Sequence, residues 1–166
     1  MNRQPERSCI ASAQDERYLR LIMNRRWPEG RLKCAQCHRM RNFVRVPGRT
    51  SYACPRCRHQ VYPLVDTIFE RSTTSLTLWF EAARLYISDD SIKAVDIRRK
   101  WGVTYKTAWR LRNALHCLHD LAFLNLTHDF GSDVRLDKLI IDTVVRRRLQ
   151  LWRYPEQPDR AQCLAN

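Results

Sequence analysis

Long apolar runs are missing from this sequence. No stretch approaches the ~18–20 residues that cross a bilayer, so a membrane partner is not expected. The opening MNRQPERSCIASAQDERY lacks the apolar core of a secretory signal. There is no Gly-rich phosphate loop, no nucleophile elbow and no internal repeat, which argues against P-loop hydrolysis, α/β-hydrolase chemistry and solenoid folds. Acidic charge is scarce: 17 Asp and Glu face 30 Lys and Arg, a net +13 with a pI near 10. That imbalance predicts a polyanionic partner, because Lys and Arg on phosphates release condensed counterions. The expected setting is soluble, cytoplasmic and nucleoid-associated. Hydrophobic residues make up 44% of the chain and aromatics 10%, enough for a real core over 166 residues, as one medium domain or two small ones.

Seven cysteines are present, an odd number. Cys9, Cys117 and Cys163 are scattered; the other four form Cys34-x2-Cys37-x16-Cys54-x2-Cys57. Unpaired thiols suit a reducing compartment, which turns paired cysteines toward metal. Two residues between thiols let both sulfurs of a tight turn face one point, and two such turns supply the tetrahedral ligands of one structural Zn²⁺. NFVRV (42–46), a turn at Pro47–Gly48, TSYA (50–53) and HQVYPL (59–64) read as three strands. The expectation is a three-stranded zinc ribbon over 31–70, held mainly by its metal. A thioredoxin-like pair or disulfides fit this spacing and compartment less well. His38 and His59 are spare ligands or surface groups.

Helical periodicity surrounds this unit. In the N-terminal segment 1–30, residues 14–26 carry Tyr18, Leu21, Ile22 and Met23 and end at Trp27–Pro28, a helix expected to pack on the ribbon. Within 72–126 three more helices are expected. The first, 75–87, has Ser75 as cap and Leu76, Trp79, Phe80, Ala83 and Ile87 on one face. The second, 89–101, has Ser91 as cap, Ala94, Ile97 and Trp101 inward, and Gly102 as stop. The third, 103–124, has Thr104 as cap and Ala108, Leu111, Leu115, Leu118 and Ala122 inward. The fold class is therefore α+β, a small zinc ribbon followed by a mainly α domain.

IRRKWGVTYKTAWRLRN has the layout of a helix-turn-helix: an aliphatic residue, a glycine five later, a valine, a capping hydroxyl and a polar helix. Arg98 stands where alanine is common. In that geometry Tyr105, Lys106, Arg110 and Asn113 project from the apolar face, with Lys106, Arg110 and Asn113 reading bases. Arg98, Arg99, Lys100, Arg112, the hydroxyls of Thr104 and Thr107, and some basic residues of the ribbon would hold phosphates. The alternative is a three-helix scaffold with a solvated charged face.

RWPEGRLKCAQC, YACPRCRHQVYPLVDTIFERSTTSLTLWFEAARLY and WGVTYKTAWRLRNAL together resemble the N-terminal part of bacterial insertion-sequence transposases, over roughly residues 14–120. Those enzymes have a zinc ribbon, a helix-turn-helix and a DDE catalytic domain of ribonuclease-H-like fold. The resemblance implies that Cys34, Cys37, Cys54 and Cys57 bind zinc and that Thr104–Asn113 recognises DNA. KLIIDTVVRRRLQLW (138–152) is similar to a first catalytic strand, with Asp142 at the Asp position and Thr143 where Glu would stand. Two-metal strand transfer needs further carboxylates from distant strands, and the sequence given stops at Asn166. Asp142 is thus expected to be an ordinary carboxylate in a remnant strand. Residues 127–166 read as an extension with that strand and a loose tail.

The expected function is sequence-specific binding of double-stranded DNA, as a transcriptional regulator without enzymatic activity. The alternatives are a transposase-related enzyme that cuts or joins DNA, and a zinc-ribbon adaptor for RNA polymerase, another regulator or a full-length transposase. Apolar stretches at Leu121–Leu126 and Leu139–Val145 are candidates for a homodimer surface or for core. His116 and His119 share a helix face without an aligned third ligand, and RRR at 146–148 could follow a DNA backbone or shield an edge strand.

Overall fold

Short polar side chains mark where the helices start. The structure is a computed structural model that describes residues 12–89, 91–119 and 133–146. Helix α1 (Ala13–Arg26) begins at Ser12, whose hydroxyl accepts from the Asp15 N–H while the Asp15 carboxylate accepts from the Ser12 N–H. This reciprocal cap satisfies two donors that a helix start leaves open. The other Asp15 oxygen accepts from the Thr77 N–H and hydroxyl, both at 2.7 Å, so one buried carboxylate serves the starts of α1 and α2 together. Helix α2 (Leu76–Ser88) is capped by Ser75, whose hydroxyl accepts from the Leu78 N–H.

Between them lie five short strands: β1 (Arg31–Lys33), β2 (Met40–Asn42), β3 (Val44–Arg45), β4 (Tyr52–Ala53) and β5 (Gln60–Val61). β3, β4 and β5 form the three-stranded antiparallel sheet, with Tyr52 between Arg45 and Val61. β1 pairs with β2 in a separate hairpin, Leu32 opposite Arg41. That hairpin was not foreseen, because a three-residue strand reading Arg-Leu-Lys carries almost no periodicity.

Helices α3 (Ala94–Trp101) and α4 (Tyr105–Leu115) follow, then a 3-10 turn at His116–Leu118 and α5 (Asp133–Arg146). The expected cap of α3 is corrected. The Ser91 N–H and hydroxyl both donate to Asp89, so Ser91 is held in the preceding turn. The helix starts after Lys93, whose N–H donates to Asp96. Gly102 ends α3 at φ +64°, a left-handed conformation that costs an L side chain on the order of 1–2 kcal/mol.

The largest correction is α5, where a remnant strand was expected. Leu136, Ile140 and Val144 recur every fourth residue, Asp137 and Ile141 follow on the same side, and that side packs on α1 and α2. The β-branched run favours a strand locally, but tertiary burial overrides so weak a preference. Thr143 donates back to the Leu139 carbonyl, which satisfies its hydroxyl within the helix. The Leu139–Val145 stretch is consequently core; Leu121–Leu126 and the tail lie outside the described residues.

The core runs from α1 through α2 to α4 and α5. Tyr18 stacks on Phe80 at 3.9 Å, and Phe69 packs edge-on to Trp79 at 5.5 Å. The Trp79 indole N–H donates to Ser72. On α1 the inward residues are Tyr18, Leu19, Ile22 and Met23; Leu19 takes the buried place expected for Leu21. Arg84 on α2 donates to buried Asp137 of α5 at 2.6 Å and to the Tyr18 hydroxyl, joining three helices. α1 thus packs mainly on helices. It reaches the β-unit through a two-pronged Arg45–Glu16 pair and through Arg26, which donates to the Pro63 and Val65 carbonyls.

Candidate functional site

Two Cys-x-x-Cys turns with matching backbones build the first site. The Cys34 N–H donates to the Arg39 carbonyl and the His38 N–H donates back to the Cys34 carbonyl. In the second turn the Cys54 N–H donates to His59 and the Arg58 N–H to Cys54. His38 and Arg58 take the same left-handed conformation, φ +56° and +61°. Each turn therefore curls both of its sulfurs toward one side, as the spacing predicted.

The four ligand atoms of Cys34, Cys37, Cys54 and Cys57 lie within 4.8 Å of one another. Across the two turns, Cys34 Sγ is 3.4 Å from Cys57 Sγ and Cys37 Sγ is 3.8 Å from Cys54 Sγ. A tetrahedron with metal–sulfur bonds of ~2.3 Å has edges of ~3.8 Å, so the donors fit one ion. Cys34 and Cys54 are buried, Cys37 and Cys57 half-buried, and all four are free thiols rather than disulfides. The group could hold a metal ion, and it is the one such group among the described residues.

The local field separates the thiols. The Cys57 N–H, outweighing burial and helped by the Arg56 N–H, lowers Cys54 to about 6. Burial raises Cys34, but the N–H groups of Cys37 and Gln36 and the Cys57 thiol bring it below its ordinary value. The His59 N–H pulls Cys57 down, yet burial and the neighbouring thiols push it up to about 11. Sulfurs this close cannot all be thiolates without a cation among them. A divalent ion supplies that charge and displaces the remaining protons.

The second site is the pair α3–α4. Ala94 and Ile97 of α3 and Ala108, Leu111 and Leu115 of α4 are buried, which turns the polar residues outward. Arg98, Arg99, Lys100, Thr104, Tyr105, Lys106, Arg110 and Asn113 are exposed, and Thr107 is half-buried. Thr104 caps α4: its hydroxyl accepts from the Thr107 N–H at 3.2 Å and lies 2.9 Å from the Thr107 hydroxyl. Val95, Arg98, Arg99, Gly102, Val103, Thr104 and Tyr105 line an open groove of about 840 Å³ at the turn.

Two residues named from sequence also make contacts within the protein. The Arg112 Nε donates to the Ile92 carbonyl at 2.7 Å, and its guanidinium lies over the Tyr86 ring and beside His116. It ties α4 to the start of α3. Arg110 is exposed but donates to the Ser72 hydroxyl at 3.0 Å, which lays it toward the loop before α2. Trp109, not singled out from sequence, is half exposed one turn after half-exposed Tyr105. Counting four residues from Tyr105 would have found it, since Ala108 and Leu111 already define the inward side.

The flanking candidates resolve into local contacts. His116 lies beside Arg112 and the Tyr86 ring, and burial together with the Arg112 and His119 charges lowers its pKa. Asp142 is ion-paired with Arg25 on the outer side of α1 and α5. No helix among the described residues is long and apolar enough to cross a membrane.

No family model, curated protein or solved structure matches this chain. The likeness to insertion-sequence transposases therefore rests on the short motifs themselves. Several of those motifs have a structural use: Thr67 and Phe69 form a turn and a core ring, and Trp79–Phe80 sit at the centre of the core.

Proposed function

We propose that this protein binds double-stranded DNA sequence-specifically and acts as a transcriptional regulator, with α3–α4 as a helix-turn-helix and the four-cysteine unit as a zinc ribbon around one structural Zn²⁺. The observation that carries this reading is the division of α4. Buried Ala108, Leu111 and Leu115 anchor one side, while Tyr105, Lys106, Trp109, Arg110 and Asn113 stand exposed on the other, just after a capped helix start. A helix presented this way suits the major groove: Arg pairs with guanine, Asn with adenine, and apolar surface with the thymine methyl. Arg98, Arg99, Lys100 and the α4 N-terminus suit the flanking phosphates. Zinc is the natural ion for a closed set of four thiolates. The resemblance of the short motifs to insertion-sequence transposases supports the same assignment.

The test is selection of bound duplexes from a random pool by the metal-loaded chain. A recurrent motif is expected. Arg110→Ala should then cost about 1–3 kcal/mol at one base pair, while Lys100→Ala weakens all sequences alike. Recovery of no motif would sink the reading. A second reading draws on exposed Met40, Val44 and Tyr62 in the β-unit, apolar side chains that suit a protein partner such as RNA polymerase or another regulator. Capture of one such protein, insensitive to salt and without any DNA motif, would favour the adaptor.

A further inference from the structure

The α3–α4 pair is not the only strongly basic part of this protein: residues 93–113 contain seven Lys or Arg beside one acid. Residues 31–65 contain eight Lys or Arg and no Asp or Glu, whereas residues 66–119 contain nine beside six acids. A divalent ion with four thiolates is a dianion, which still leaves about six positive charges in the β-unit uncompensated.

The structure shows how few of these cations are used internally. Among the described residues Arg45 alone of the eight is ion-paired, to Glu16. Arg31, Lys33, Arg39, Arg49, Arg56 and Arg58 are exposed. Half-buried Arg41 has an Nε with no hydrogen-bond partner. Arg31 and Lys33 flank inward-facing Leu32 and share the outer face of the hairpin with their cross-strand partners Asn42 and Met40. Arg56 and Arg58 lie on the second cysteine turn, and Arg39 follows the first. With no acidic residue in this segment to offset them, these exposed cations make a surface whose field attracts a polyanion.

We infer that the β-unit is a second DNA-contacting surface, a clamp on the phosphate backbone that adds salt-dependent affinity of its own while α4 supplies sequence preference. This rests on the DNA-binding reading for its choice of ligand. A duplex backbone fits better than a single strand. Single-strand binding needs aromatic faces for base stacking, and Phe43 and Tyr52 of this unit are buried, leaving Tyr62 alone exposed.

The experiment measures the affinity of the full, metal-loaded chain for its selected duplex and for a random duplex across a series of salt concentrations. Two variant sets are compared with the parent: Arg31→Ser with Lys33→Ser and Arg39→Ser, and Arg49→Ser with Arg56→Ser and Arg58→Ser. Metal content and helical circular dichroism confirm folding, and the set that keeps both is the one that decides. Each lost phosphate contact should make the log–log slope shallower by about 0.9, hence by about 2–3 for a set, on both duplexes and without changing the preference between them. Lys in place of each Arg should restore the slope. An unchanged slope with duplex binding retained would overturn the inference and leave the helix-pair reading standing. A loss seen on RNA but not on duplex DNA would overturn it equally. A shallower slope in a protein without any sequence preference would support the clamp and remove the helix-pair reading. Absence of any duplex binding by the parent would remove both.

Discussion

Between Arg31 and Val61 the strands are two or three residues long, and two of the fully buried side chains are cysteines. Between Leu76 and Leu118 three helices bury Trp79, Phe80, Ile97, Leu111 and Leu115, and their starts carry backbone-satisfying side chains. So short a β-unit cannot remove enough apolar surface from water to offset the chain entropy it loses. Its four converging thiols could hold a metal ion, which would supply the missing support. The helical part rests on burial, helped by its caps and by the Arg84–Asp137 pair. The difference teaches that one chain can hold two regions that lean on different physical supports, joined by Arg45–Glu16, by Arg26 and by a shared core that takes in Leu32, Phe43, Tyr52 and Leu64.

The comparison breaks most sharply at the metal. A strong chelator, or Cys54→Ser, should abolish hydrogen-exchange protection across residues 31–61 while most helical circular dichroism remains. Simultaneous melting of the helices would show that the two supports are not separate. Next in size is the opposite cut. Trp79→Ala removes the indole between Phe69 and Ser72 and should cost about 3–5 kcal/mol, seen as a large fall in Tm, with one metal per chain still held in native buffer.

A finer contrast concerns the α3–α4 turn. Thr104→Ala deletes the hydroxyl that accepts from the Thr107 N–H and should cost about 1 kcal/mol in urea unfolding, without any change in metal content. An equal loss on the metal side would couple the regions through this turn. The smallest effect is electrostatic. His116 has a folded pKa below its ordinary value, so the unfolded state binds more protons as the pH falls through about 6.5. Helical stability should therefore decline as pH drops from 7 toward 5 and level off below the folded pKa. His116→Gln should flatten that decline; an unaltered profile would place the acid sensitivity elsewhere.

Much of this was legible beforehand because it depends on local chemistry. Ser75 and Thr104 were expected as caps and are caps; Gly102 ends α3 in the left-handed region; the Cys spacing predicted one cluster. Other features were hidden because a nearby or a distant partner competes for the same group. Ser91 resembles a cap, but Asp89 holds both of its donors. The contacts of Arg112 with the Ile92 carbonyl and the Tyr86 ring could not be read from its place in α4. The LII and TVV runs of residues 139–145 look like a strand until α1 and α2 supply a groove for their helical face.

Sequence by itself determined the starts and stops of most helices and the convergence of four thiols, since each follows from hydrogen bonds or bond lengths within a few residues. It also determined that the segment around the cysteines, residues 31–65, carries eight cations and no acid. Tertiary structure alone decided that residues 133–146 are helical, that Asp137 is buried against Arg84 and Tyr18, and which arginines face solvent. The reason is distance. The energy of each of those outcomes comes from groups tens of residues away, whose positions exist only once the chain has packed.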